Sequence, residues 1–411
     1  MAEDHALDHL RTAIESFLAG CREPRLLEPG QKPLVVDRRQ LQFTTRGPWL
    51  QLEAWDHDQF FSRRLSGLRT QSKDRLELAV ERFGGKTGTL VLYDAACPRN
   101  QALIGRGRRQ VFAESFRAML RRQFPRYRLE ELSSEASLQH TLSPAYSRAL
   151  LRQGNAGIAA MGAAPDSDVE AMLSFALIWL AYLRRREPAL EIQALAVFLP
   201  AGKERNTCLR LRFLDPEAAQ WLPYVYTGEG HSMPVDLADW GNLETSLEAA
   251  GHTPQVVRFE PESLIEEQVR AEIQEIDASL RPDPIYGQVP AFAGGDRGIL
   301  DLLACDSAGR LAVMELKASE CVHLPLQALD YWMRVSWHLE AGDFEKYGFF
   351  PGIALGRCPP RLLLVAPAIQ FHPSNEQVIR FFHPSIEVER IGLAPLLSGP
   401  LKVMFRQGRL E

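Results

Sequence analysis

The sequence predicts a mixed α/β (α+β) protein with a small β-rich region at its N-terminus. Two patterns predict this class. Helical spacing of apolar residues alternates with short apolar runs after residue 101, and residues 34–94 hold short β-branched and aromatic runs. The third observation is size, because 411 residues with 45% apolar and 24% charged side chains suffice for two or three hydrophobic cores. This composition excludes a disordered chain, a collagen-like repeat and a small disulfide scaffold. We expect three regions, at 1–100, 101–250 and 251–411.

The first region begins with a predicted amphipathic helix. Leu7, Leu10, Ile14 and Phe17 follow one another at helical spacing within residues 1–20, and the charged residues between them exclude a signal peptide. A Pro- and Gly-rich loop then leads into the β-rich part, whose runs include LVV, LQF, WLQLEAW and TGTLVLYD. These patterns predict structure for the region and no particular function.

Cysteine spacing and the length of the apolar segments indicate a cytoplasmic protein. None of the six cysteines stands in the C-x-x-C spacing of a zinc or redox site, so we expect reduced, partly buried thiols. The most apolar helix candidate, residues 172–183, is shorter than the roughly 20 residues that a membrane span needs. We therefore expect no membrane partner.

Charge is unevenly distributed along the chain. The formal net charge of -5 disfavours binding to nucleic acid. Residues 101–153, however, hold ten arginines against four glutamates, and residues 104–123 read as a basic amphipathic helix. This segment is either the solvated face of a helix or a surface that contacts phosphates.

The rest of the chain alternates between predicted strands and helices. The expected elements are strands at 157–162, 193–200 and 208–214, helices at 169–186 and 262–280, and a polar connection at 227–253. Beyond the second helix, apolar strand-like runs dominate.

One predicted hairpin places charged residues in an apolar setting. The runs 299–305 and 311–317 flank a Gly-containing loop, and pairing centred on residue 308 would set Asp301 opposite Glu315. Period-2 geometry then puts Lys317 on the same face as Glu315. Burial of an unpaired charge costs several kcal/mol. The three side chains therefore either form a structural ion pair or hold a hard divalent cation, Mg²⁺ or Mn²⁺, through carboxylate oxygens.

This arrangement resembles the PD-(D/E)XK nuclease superfamily. Its signature is an acid on one strand and D/E-x-K on the next, and here Gly-Ile-Leu-Asp301 replaces the literal Pro-Asp. The resemblance implies a further acid on the preceding helix, for which we prefer Glu267 and keep Glu266 as the second choice. It also implies a restriction-endonuclease-like core of order αβββαβ.

A second motif narrows the resemblance. Gln327 and Tyr331 form a Q-x-x-x-Y on a predicted helix, similar to the motif of RecB-like and Mrr-like nucleases, and four-residue spacing puts them on one helix face. The resemblance makes Gln327, Tyr331, Arg297 and Arg334 candidate contacts to nucleic acid. It covers residues 261–411, lacks the histidine that some RecB relatives carry on the first helix, and leaves Asp296 as a turn residue or an additional acid.

The resemblance implies a metal-dependent deoxyribonuclease that acts in DNA repair or in defence against foreign DNA. Asp301, Glu315 and Glu267 would hold the metal, and Lys317 would complete the catalytic set by orienting or deprotonating a water. DNA is the expected partner, with RNA and homo-oligomerisation left open. The alternative is an inactive nucleic-acid-binding or scaffold protein with the same fold.

The middle region resembles the last one in the order of its elements. ALAVFLPAGK at 194–203 is similar to RLLLVAPAIQ at 361–370, and each follows an aromatic-rich helix. We therefore expect a tandem of two nuclease-like folds. The upstream copy has no D…E-x-K around GIAAMGA, so the metal chemistry would be lost there.

Overall fold

The computed structural model of the chain comprises two compact units. The first is Met1–Ala118 and the second is Met119–Glu411. The structure describes residues 2–28, 33–36, 41–46, 49–55, 60–82, 86–228, 230–240, 245–247, 261–293, 296–395 and 399–409. The mixed helix and strand content confirms the predicted α+β class.

The first unit is an antiparallel sheet packed against one helix. The helix is α1 (Ala2–Gly20), and the strands are β1 (Pro24–Leu27), β2 (Leu34–Val35), β3 (Leu41–Arg46), β4 (Trp49–Trp55), β5 (Phe60–Gln71), β6 (Arg75–Arg82) and β7 (Lys86–Asp94). The strand order is β2-β1-β7-β6-β5-β4-β3. Leu10 and Ile14 of α1 join Leu50, Leu52 and Leu65 in one apolar cluster, as the helical spacing predicts. The helix α2 (Pro98–Gln123) follows, and the boundary between the units falls within it.

The second unit begins with a mixed sheet, which we call the upstream half. Its elements are β8 (Arg128–Ser133), β9 (Tyr146–Gln153), β10 (Ala156–Ala163), α3 (Val169–Arg186), β11 (Glu191–Pro200), α4 (Arg205–Leu211), β12 (Gln220–Tyr226) and β13 (Ser232–Pro234). The strand order is β13-β12-β11-β10-β9-β8, and β10, β11 and β12 run parallel.

One predicted strand of the upstream half is wrong. Residues 208–214 were expected to be extended, but Cys208 to Leu211 belong to the short helix α4, which buries Cys208, Leu209 and Leu211. A short apolar run does not by itself distinguish a strand from a buried helix. Leu214, at the end of the run, forms an isolated bridge.

The remainder of the second unit forms the downstream half. Its elements are β14 (Thr245–Leu247), α5 (Pro261–Ala271), α6 (Ile273–Ile276), β15 (Tyr286–Ala293), β16 (Asp296–Cys305), β17 (Leu311–Leu316), α7 (Leu324–Ala341), α8 (Asp343–Lys346), β18 (Arg361–Pro367), α9 (Asn375–Ile379), β19 (Val388–Leu393) and β20 (Val403–Gly408). The strand order is β20-β19-β18-β17-β16-β15-β14. The predicted helix 262–280 is instead two helices, α5 and α6, which are separated by Glu272 and end at Ile276.

The two halves share a topology of six strands, to which the downstream half adds β14 at one edge of its sheet. In each, an antiparallel hairpin (β9–β10 or β16–β17) leads through a long helix (α3 or α7) to a parallel strand (β11 or β18). A short helix then leads to a second parallel strand (β12 or β19) and an antiparallel edge strand (β13 or β20). The expected boundary at 250/251 does not separate the two sheets, because β14 pairs with β15 of the downstream sheet, and one apolar cluster spans both halves.

A short sequence repeat joins the two halves. Arg-Phe-X-X-Pro occurs at 212–216 and again at 380–384. The backbone N–H of Asp215 donates to the carbonyl oxygen of Phe381 at 2.8 Å, and the N–H of His383 donates to the carbonyl oxygen of Phe213 at 2.8 Å. Such reciprocal bonds are what a local two-fold axis produces, because each partner uses the same atoms toward the other.

Among the helices of the described residues, none combines the length and the apolarity that crossing a membrane requires.

Candidate active site

The hairpin β16–β17 has the register that the sequence predicts. Leu302 pairs with Met314, so Asp301 and Glu315 stand opposite each other at the next position. The backbone N–H of Leu316 donates a hydrogen bond of 2.8 Å to Oδ2 of Asp301. The acid on the first strand is thereby fixed beside the E-x-K of the second, at the end where the hairpin strands separate.

Glu315 is the most deeply buried group of this cluster, with 2% of its surface exposed. Burial raises its pKa well above the usual value, and the negative charge of Asp301 raises the pKa further. Burial also raises the pKa of Asp301, although the N–H of Leu316 and the charge of Lys317 oppose that shift. Two carboxyl groups that disfavour each other's charge form a pair that a cation would stabilise.

Lys317 lies against this pair. Its Nζ is 3.2 Å from Oε1 of Glu315 and 3.7 Å from Oε1 of Glu262. Burial lowers the pKa of Lys317, but attraction to Glu315 and then to Glu262 outweighs it, so that the pKa rises. The ion pair that the sequence left open is therefore present, and the raised pKa keeps Lys317 protonated at neutral pH.

One oxygen of the cluster lacks a partner. Oε2 of Glu315 is buried and finds no hydrogen-bond donor among the described residues. A buried polar atom without a partner costs about 1–3 kcal/mol. Mg²⁺ is usually held by one or two carboxylates and keeps several of its waters. The residues present fit such an ion, with Asp301 and Glu315 as its carboxylate ligands.

The helix α5 brings Glu262 and Glu266 toward the site, but not Glu267. Charges on Glu266 and Glu262 both raise the pKa of Asp301, whereas Glu267 is exposed to solvent. Helical spacing puts Glu262 and Glu266 on one face, one turn apart. Glu267, the first choice from the sequence, is thus exposed, whereas the charges of Glu266, the second choice, and of Glu262 act on Asp301. Which of these acids would hold a metal stays a prediction. Their positions around the helix axis identify Glu262 and Glu266, because the buried Ile265 shows which side of α5 faces the sheet.

A glycine on β15 permits this approach of α5. A Cβ at Gly287 would lie 2.5 Å from Oε1 of Glu266 and would overlap the guanidinium of Arg270. Arg270 in turn forms an ion pair of 2.7 Å with Glu266. Only the absence of a side chain at Gly287 lets both groups lie over the strand.

The helix α7 carries the Q-x-x-x-Y motif toward the same cluster. Burial raises the pKa of Tyr331, and the charges of Glu315 and Asp301 raise it further, so the phenol is close to both carboxylates. Oε1 of Gln327 and Nε of Arg334 are buried, and neither has a hydrogen-bond partner in the described part of the chain. The guanidinium carbon of Arg334 lies 6.0 Å from the ring centre of Tyr331.

Two further predicted positions belong to β16. The backbone of Asp296 and Arg297 pairs with β15 opposite Ala293 and Phe292. Their side chains lie outside the described residues. Within the described residues, no group of three or more His, Cys, Asp or Glu side chains has the geometry to hold a metal ion. The structure thus brings together Asp301, Glu315 and Lys317 with Tyr331, and leaves a third acid ligand unassembled.

A scan against protein-family models and a search of curated proteins found no match to the chain.

Proposed function

We propose that the protein is a metal-dependent nuclease that hydrolyses phosphodiester bonds in DNA, with a PD-(D/E)XK site in its downstream half. The observation that carries this proposal is the buried Oε2 of Glu315, which has no hydrogen-bond donor among the described residues, beside Asp301 and Lys317. The order of elements from α5 to β18 also follows the expected αβββαβ core.

Each side chain has a role that its position supports. Asp301 and Glu315 hold the metal ion, with Glu262 or Glu266 joining directly or through water. When bound, Mg²⁺ or Mn²⁺ supplies Lewis acidity and positive charge next to the scissile phosphate. Lys317 orients the attacking water and donates hydrogen bonds to the phosphate oxygens as negative charge accumulates there.

The helix α7 would position the nucleic acid strand. The unpartnered Oε1 of Gln327 and Nε of Arg334 stand on one face with Tyr331, at spacings of four and three residues. Arg334 offers a charged donor for a phosphate, and Gln327 offers an amide for a sugar or base edge. Arg297 remains a further phosphate contact in this proposal. DNA is the proposed substrate, and RNA cleavage is an outcome of the test below.

The second candidate function is an inactive nucleic-acid-binding or scaffold protein. The ion pair between Lys317 and Glu315 favours it, because this pair satisfies part of the buried charge without a metal. The proposed setting is the cytoplasm for either function. In support of that setting, the six cysteines at 21, 97, 208, 305, 321 and 358 are free thiols.

Cleavage assays separate the two functions. Purified protein is incubated with linear, nicked and single-stranded DNA and with RNA, in Mg²⁺, Mn²⁺ or EDTA. The nuclease proposal expects cleavage that EDTA abolishes and that Asp301→Asn removes. If none of these substrates is cleaved in a metal-dependent manner, the nuclease proposal is wrong and the inactive binding or scaffold protein is the better description.

The same assay identifies the helix acid. We expect Glu262→Gln and Glu266→Gln to slow cleavage, because both side chains face Asp301. Glu267→Gln is the matched control on the same helix, and its activity should equal that of the wild type. Slow cleavage by the control alone would restore Glu267 as the ligand.

A further inference from the structure

The upstream half carries different side chains where the downstream half has its candidate site. Each parallel strand β11 and β18 ends in Pro-Ala, which fixes the alignment of the two sheets. Three residues before that proline, Val197 pairs with Met161 and Leu364 pairs with Glu315. Met161 therefore occupies the place of Glu315.

The other two positions follow from the same registers. Met161 stands opposite Arg148 on β9, as Glu315 stands opposite Asp301 on β16. Ala163, two residues beyond Met161, takes the place of Lys317. The acid, acid and lysine of one half thus correspond to arginine, methionine and alanine in the other.

Arg148 gives the upstream position the opposite charge. Only 4% of this residue is exposed, and its guanidinium carbon lies 5.5 Å from the ring centre of Trp179. Nη2 of Arg148 donates to Oγ of Ser133 at 3.3 Å. A buried guanidinium beside a thioether and a methyl group repels a hard cation and offers it no oxygen ligand. The upstream position is unable to hold Mg²⁺ or Mn²⁺ in the manner of Asp301 and Glu315.

The two halves nevertheless retain a two-fold relation. Their topology is the same, and the Arg-Phe-X-X-Pro segments exchange reciprocal backbone bonds at Phe213–Asp215 and Phe381–His383. A symmetric pair of active halves would present two hydrolytic centres to the two strands of a duplex. In this chain, the described residues supply one such centre.

We infer that the chain cuts one strand of duplex DNA per binding event and releases a nicked duplex; this inference rests on the proposed function. Each event consumes one water and breaks one P–O bond, and it leaves one phosphomonoester and one hydroxyl group at the nick. A second cut in the opposite strand requires an independent encounter.

A supercoiled plasmid tests this directly. The full chain is incubated with plasmid in Mg²⁺ or Mn²⁺, and supercoiled, open-circular and linear forms are quantified over time. We expect open circles to accumulate to most of the DNA before linear molecules appear, and linear product to show a lag. The ratio of open-circular to linear DNA at equal loss of supercoils should not change with protein concentration.

Two outcomes contradict the inference in different ways. Linear product that appears without a lag and without an open-circular intermediate would overturn the single-strand cut while leaving the nuclease proposal standing. No metal-dependent loss of supercoiled DNA would overturn the inference, and the nuclease proposal would fall with it only if linear, nicked and single-stranded DNA were also left uncut. As a control, Arg148→Met should nick with the same product pattern as the wild type, provided that its circular dichroism spectrum matches.

Discussion

The upstream and downstream halves of the second unit share a topology and differ in their buried charge. At equivalent positions, one half buries the guanidinium of Arg148 over Trp179, and the other buries the carboxylates of Asp301 and Glu315. Both arrangements sit on the same apolar core. The difference indicates that the apolar pattern determines the fold, while two or three positions at the end of a hairpin determine the sign of the charge that is buried there.

The two halves also differ in the source of the positive charge at the end of the hairpin. Arg148 carries a positive charge of its own; burial lowers the pKa of its guanidinium, whose Nε and Nη1 have no hydrogen-bond partner among the described residues. In the downstream half, burial and then the charge of Asp301 raise the pKa of Glu315, and Lys317 offsets these effects only in part. Carboxyl groups with pKa values shifted by burial and by like charge cluster at functional sites. The downstream half is therefore the one in which we expect ligand binding and catalysis.

The largest effect is expected from Lys317→Ala, which gives the downstream half the alanine that the upstream half has at Ala163. Cleavage should fall by about a hundredfold or more, because a charge-stabilising donor is lost from the site. Steady-state rates on plasmid DNA measure this. Lys402→Ala, at an exposed position, is the matched control and should retain full activity. Equal rates for Lys317→Ala and the wild type would remove Lys317 from the catalytic set.

The next effect concerns the contact between the halves. Arg210 of α4, 5% exposed, donates from Nε and Nη2 to Asp330 of α7 at 2.8 and 2.6 Å. Removal of one partner from a buried ion pair costs about 3–5 kcal/mol. Arg210→Met should therefore lower the free energy of unfolding by that amount in urea denaturation. The exposed Arg357→Met serves as control, and an equal loss in both variants would argue against a specific link.

Variants of the two halves should differ in how much a bound metal ion raises the melting temperature. Mg²⁺ or Mn²⁺ at a hundred times its dissociation constant stabilises a protein by about 2.7 kcal/mol. We expect a rise in melting temperature for the wild type and none for Asp301→Asn. Arg148→Met should keep the full rise, because the upstream half holds no metal. A rise that survives Asp301→Asn would place the ion elsewhere.

The smallest effect depends on pH. Asp277, after α6, accepts bonds from Ser279 and from Arg361 of β18. Burial raises the pKa of Asp277, but bonds from Ser279 and then from Arg361 outweigh it, and the pKa is lowered. The pKa of Asp277 is lower in the folded state than in the unfolded state. The stabilisation is therefore fully present at a pH above the unfolded-state pKa, and it is lost as the pH falls through the folded-state pKa.

We expect Asp277→Asn to lower the free energy of unfolding by about 1–3 kcal/mol at neutral pH. The difference from the wild type should narrow as the pH falls below about 4, where an unfolded carboxyl becomes protonated. Urea denaturation across this range measures it. A difference that stays constant with pH would mean that packing, rather than charge, explains the effect.

The hairpin β16–β17 was predictable from the sequence, because the position of its loop fixes which residues of the two strands pair. This pairing places Asp301 opposite Glu315. The sequence alone does not identify the acid on α5, because several glutamates follow one another and the side of the helix that faces the sheet is not known in advance. In the structure, Glu262 and Glu266 share the sheet-facing side. The strand predicted at 208–214 was wrong because a short apolar run is compatible with a buried helix as well as with a strand.

The contact between the halves was not accessible from local patterns at all. The bonds between Phe213–Asp215 and Phe381–His383 join segments that are far apart in the chain. The Arg-Phe-X-X-Pro repeat was the available signal, and it is short enough to arise by chance. Its meaning depends on the matching topology of the two sheets, which only the folded structure shows.

The reciprocal backbone bonds of Asp215 and His383 to Phe381 and Phe213 also bear on why the two halves can carry different side chains. In a dimer of identical chains, every substitution appears twice, so an arginine that removed one metal site would remove the other. When both copies lie on one chain, each position is free to change alone. The covalent link between the halves is thus what permits Arg148 and Asp301 to occupy equivalent places in one molecule.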